Sequence, residues 1–238
     1  MNSSPVCLHG RRAAALAIVC MVVLVMVALF HHPVVAQHLD ARERFVQLAQ
    51  AGPADNLVHG TLIAMLAVLA GAMTTFNAAF EQRRFALSGA LAAYCLGCAL
   101  LGVAMLFDGF VVPSLAGQFS AAKPQQATAG MPVMGAIGAA IQVFSKAGLI
   151  AQCAAMLAWS YAIVTSRQAM PGWRCLAWAG ATAGALPALL LLFFDLSLTP
   201  HSLMAIFAAH AVWYIAVAFV LYRKGMAVNE TPAARRSI

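Results

Sequence analysis

Charge is what this sequence has least of. Only 9% of its 238 residues are Asp, Glu, Lys or Arg, against roughly 25% in an ordinary soluble domain. With 63% of residues hydrophobic, no aqueous core of this size can hide the apolar surface, and a water-soluble fold is excluded. The bilayer accepts such a chain provided every backbone group is paired inside helices or a closed barrel. The polar and apolar alternation of barrel strands is missing as well, and the apolar runs are continuous, which selects helices.

Other absences narrow the function. The chain has no Walker loop, no HExxH, no GxSxG and no dinucleotide fingerprint, so nucleotide-driven chemistry has no support. None of the six cysteines falls in a long polar loop, so no disulfide framework is implied. Cys95 and Cys98 have the spacing of a redox pair, but they lie in mid-segment among apolar neighbours, where thiols are inert. The net charge of +7 comes from basic residues that flank apolar runs rather than forming a stripe, which argues against nucleic acid as a partner.

What remains is an all-α, polytopic integral membrane protein in contact with the lipid bilayer, read as a single transmembrane domain over residues 1–238. At about 20 apolar residues per crossing, the spans are 13–30, 57–80, 85–107, 133–165, 175–194 and 201–222, a bundle of six transmembrane helices. The fourth is too long for one upright crossing and is expected to project or tilt. Arg11-Arg12, the first apolar stretch and Val34-Val35-Ala36 also read as a secretory signal. The stretch is longer than the usual apolar region of roughly 7 to 15 residues, so it is read as a retained helix.

Arg11, Arg12, Arg83, Arg84, Arg167, Arg174, Arg223, Lys224, Arg235 and Arg236 collect on one side, against Arg42, Arg44 and Lys123 on the other. Positive residues stay inside during insertion, so both termini are expected in the cytoplasm, with loops 31–56, 108–132 and 197–200 outside. The Ala-rich composition and this charge bias resemble many small bacterial inner-membrane proteins. In the outer loops, residues 39–50 read as a short helix lying along the membrane surface, and 117–130 as irregular. Gly180 and Gly184 form a GxxxG read as packing within the monomer rather than as a dimer face, and Pro187 is expected to kink the helix beyond it.

Ionisable residues inside spans are costly, and each is a candidate functional residue. At the outer level stand His59, Asp108, Lys146, Asp195 and His201, with His31 and His32 as secondary candidates, while His210 lies about 10 Å deeper at 1.5 Å per residue. Asp108 and Asp195 end helices at the pole that disfavours an anion, so each asks for a cation: Lys146, a protonated histidine or a metal ion. An Asp108 to Lys146 pair is the preferred structural reading. His59, His210, Asp108 and Asp195 make the better metal set, since bundles build metal sites from His and carboxylates on separate helices. The same two histidines could ligate a haem, although their difference in depth is awkward. The sequence Leu106-Phe107-Asp108 followed by Pro113 is echoed by Phe193-Phe194-Asp195 followed by Pro200.

The expected function is metal binding, or relay or transport of a proton or small solute, through this outward His/Asp/Lys cluster. Two alternatives stand beside it: a structural or accessory subunit of a larger membrane complex or homo-oligomer, and a membrane-embedded metal- or haem-dependent enzyme acting on a lipid or quinone.

Overall fold

The computed structural model describes residues 5–32, 39–80, 85–165, 171–194 and 196–227. Its helices are α1 (Pro5–Phe30), α2 (Ala41–Ala78), α3 (Phe85–Leu106), a π-helical turn (Phe107–Val111) leading into α4 (Val112–Ser120), α5 (Pro124–Val164), α6 (Pro171–Phe193) and α7 (Pro200–Ala227). With the π turn joining α3 to α4 into one rod, six helices are long and apolar enough to cross a membrane. The fold is a six-helix membrane bundle. Many large apolar side chains, including Val23, Leu96, Val212 and Phe219, stay exposed on its outside, as lipid contact allows and water would not.

Local chemistry fixes the helix starts. Asp40 Oδ1 accepts from the Glu43 N–H at 2.8 Å while Glu43 Oε2 accepts from the Asp40 N–H at 3.2 Å, a reciprocal cap that begins α2. At α7, the Thr199 N–H donates to Ser202 Oγ at 2.8 Å and Pro200 occupies the first helical position, where its missing N–H is harmless. The helix runs through Pro187 in α6.

Two helices are far longer than a crossing. The 38 residues of α2 span about 57 Å and the 41 of α5 about 62 Å, against roughly 30 Å of hydrocarbon. The helix expected over 39–50 is not a separate one; residues 41–50 are the first turns of α2. Nor is 117–130 irregular, because α4 runs to Ser120 and α5 starts at Pro124. The apolar sides of these stretches pack against one another. Phe45, Ala116 and Ala127 form a small separate core with the ring of Phe119 5.0 Å from that of Phe45. Gly130 makes room for it, since a Cβ there would come within 2.7 Å of the Phe119 ring. The result is a short three-helix turret standing on one end of the bundle.

The half of the bundle nearer the chain termini is filled by aromatic rings. Trp159 and Trp213 stack at 5.6 Å, Phe76 meets both edge-on, and Trp159 Nε1 donates to Asn77 Oδ1 at 2.9 Å. The hydroxyls of Tyr94 and Tyr214 pair at 2.9 Å, both residues buried. In this half α3 and α5 touch backbone to backbone at Gly97 and Gly148. A Cβ on Gly97 would lie 2.7 Å from the Gly148 carbonyl, and one on Gly148 would lie 2.9 Å from the Gly97 carbonyl. The Gly180 and Gly184 pair is likewise used within the chain, against Ser160, Trp213 and the Cys153 carbonyl, whereas Gly102 and Gly135 meet nothing.

Gly148→Val should therefore force α3 from α5 and destabilise the bundle by about 2 kcal/mol, in the range of an overpacked core, with Gly102→Val close to neutral. Thermal unfolding in detergent compares the two; equal melting would refute the backbone contact.

Candidate metal centre

The site begins with a proline. In an α-helix the N–H of residue 113 would bond to the carbonyl of residue 109, and Pro113 has none. The chain answers with the π turn, in which the Val112 N–H reaches back to the Phe107 carbonyl. The Gly109 carbonyl is satisfied from outside: the Asn56 side-chain amide, with its nitrogen turned inward, donates to it and to the Gly52 carbonyl at 3.2 Å. In the second sequence echo the outcome differs, since Pro200 begins a new helix.

That exchange brings α2 against the π turn at very short range. Gly52, Asp55 and His59 share the buried face of α2 at helical spacing. Gly109 has no substitute: a Cβ there would collide with the Cβ of His59 and lie 2.7 Å from its Cγ. Asp108, next in chain, is delivered to the same imidazole, with Oδ2 at 3.3 Å from His59 Nε2. His59 Nδ1 pairs with the Asp55 carbonyl at 2.9 Å, so that nitrogen carries the proton and Nε2 is left as the coordinating atom, the usual support of a metal-binding histidine.

A third element completes the cluster. His32, just beyond α1, turns inward so that its ring meets that of His59 edge-on at 5.1 Å and its Nε2 lies 4.0 Å from Asp108 Oδ2. His31 faces outward, against Phe30. One ligand atom each from His32, Asp55 and His59 lies within 4.8 Å of the others. Bonds of 2.0–2.2 Å in a tetrahedron put donors about 3.4 Å apart, so this set stands within about 1.4 Å of that spacing. Asp55 is 6% exposed, and its Oδ1 has no hydrogen-bond partner among the described residues. A buried carboxylate oxygen left this way is expensive unless a cation or donor meets it.

The expected site residues thus divide. His32, His59 and Asp108 come together. Within 4.0 Å, the ion pairs of Asp108 among the described residues are with these histidines and not with Lys146, which lies half-buried on α5. His201 is exposed in the first turn of α7. His210 is fully buried away from the cluster, 3.6 Å from Cys153 Sγ. Asp195 lies outside the described residues. The sequence reading leaves Asp55 in the outer loop 31–56, whereas the helix continues back through Pro53 and puts Asp55 and His59 four apart on one face.

Beneath the cluster lies a cavity of about 260 Å³. Gln142 holds its rim by gripping both backbone groups of Leu198, donating to the carbonyl at 2.9 Å and accepting from the N–H at 2.8 Å. No protein-family model, curated protein or solved structure matches the chain, so the functional reading rests on the chemistry of this site.

Asn56→Ala should cost about 1 kcal/mol by stranding the Gly109 carbonyl. In a Pro113→Ala background, where residue 113 regains its N–H, the same change should cost much less. A double-mutant cycle by denaturant or thermal unfolding measures the difference, and strict additivity would show that the amide does not serve that carbonyl.

Proposed function

We propose that this is a multi-pass inner-membrane protein whose outward face holds a divalent transition metal, with His32, Asp55 and His59 as ligands and Asp108 beside them. The observation that carries the reading is the buried, unpartnered Asp55 oxygen beside two imidazoles. Imidazole nitrogen with carboxylate oxygen is a donor set that Zn²⁺ accepts at tetrahedral geometry, and two aspartates would balance its charge. The outward orientation rests on the distribution of Lys and Arg.

Binding suits the architecture better than passage. The cavity is lined below the cluster by Leu101, Met105 and Phe207, and the stacked rings of Trp159 and Trp213 belong to the packed core of the bundle. A metal held at the head of this cavity can present itself to a molecule bound there, or act as a sensor or store.

Purified without chelator, the protein should carry stoichiometric zinc by elemental analysis. Asp55→Asn and His59→Ala should each weaken zinc binding by more than the roughly 10- to 100-fold typical of losing a supporting residue, and His201→Ala should leave it unchanged. Affinity should fall as pH is lowered, because protons compete for the imidazoles. Zinc binding with the same affinity in Asp55→Asn and wild type would refute the assignment.

A further inference from the structure

The cavity is lined on two chemically different sides. Its head is polar, with His32, His59 and Asp108, and its body is mostly apolar, with Leu101, Met105 and Phe207 beside Ser145 and the Gln142 amide that is spent on Leu198. A small apolar slot of about 30 Å³ beside Val25 and Met26 of α1 shares Leu62, Met105 and Phe207 with the cavity. A dry cavity of about 150 Å³ accepts benzene, so about 260 Å³ holds a ring or branched chain with a head group.

Resting on the zinc reading above, we propose that the cavity binds a neutral, lipid-soluble alcohol, its hydroxyl oxygen on the metal and its hydroxyl proton on Asp108. Three features of the site select this class. Zn²⁺ with Asp55 and Asp108 is already neutral, and an anionic head would leave an uncompensated charge in a poorly solvated place. With His32, Asp55 and His59 as ligands, a fourth position stays open. Asp108, at 39% side-chain exposure the freest of the four groups and within 4.0 Å of both imidazoles, is the acceptor available to a molecule bound there. A hydroxyl supplies the oxygen and the donor together, which a ketone or ether does not. The apolar walls of the cavity, Leu101, Met105, Leu203 and Phe207, then take the rest of the molecule.

The test is photolabelling of the zinc-loaded full chain in lipid nanodiscs with a diazirine-bearing eight-carbon alcohol, read by mass spectrometry. Gly138 is the place to block the cavity, because it lines the space and a Cβ built there meets nothing within 4 Å. Labelling is expected on the stretches around Leu101 to Met105 and Leu203 to Phe207. It should be competed by 1-octanol more strongly than by octanoate, and lost on zinc removal. Gly138→Phe should abolish it while zinc stays stoichiometric, and Leu203→Trp on α7 should do the same if the first variant folds poorly. Stoichiometric zinc with labels spread over lipid-facing positions such as Leu96 and Val212, unchanged by either variant, overturns the inference and leaves the zinc site standing. Cavity labelling that persists without zinc, or octanoate competing as well as octanol, also overturns it. Failure of zinc to bind at all removes the premise and the inference together.

Discussion

A carbonyl without a partner organises this molecule. In hydrocarbon every backbone polar group must be satisfied by the protein itself, and Pro113 deprives the Gly109 carbonyl of its helical donor. The π turn and the Asn56 amide resolve that deficit. Their joint effect is to press α2 onto the π turn where only glycine fits, and to hold Asp108 against the imidazole of His59. The site is therefore produced by a repair of helix geometry, in line with the frequent occurrence of π turns at functional positions.

The bundle around it is divided by composition along its depth. On one side of the middle stand interlocked tryptophans, tyrosines and phenylalanines with few polar partners to exchange. On the other stand a cavity, two imidazoles and two carboxylates. Close packing in the first half, down to the backbone contact of Gly97 with Gly148, supplies the rigidity that the open second half lacks.

How much of this could be read from the sequence follows from what each level depends on. The six crossings are visible because hydropathy is a property of each segment alone. The turret is not, because Phe45, Ala116 and Ala127 become a core only when three distant stretches meet. His59 and Asp108 stand out as costly groups at a common depth. Asp55 does not, because Pro53 disguises the helix that carries it, and the inward turn of His32 against the outward turn of His31 is decided by tertiary contact. The expected partnership of Asp108 with Lys146 gave way to two histidines because the π turn re-aims the carboxylate toward α2.

The unbroken course of α2 from Ala41 to Ala78 also makes the turret a clasp. Its tip, at Ala41, stands about 27 Å along the axis from His59 at 1.5 Å per residue, and the rod that carries Asp108 runs on through the π turn into α4. Phe45 of the first rod and Ala116 of the second share one small core, so the two rods whose side chains meet at His59 and Asp108 are fastened to each other a second time, well away from the ligands.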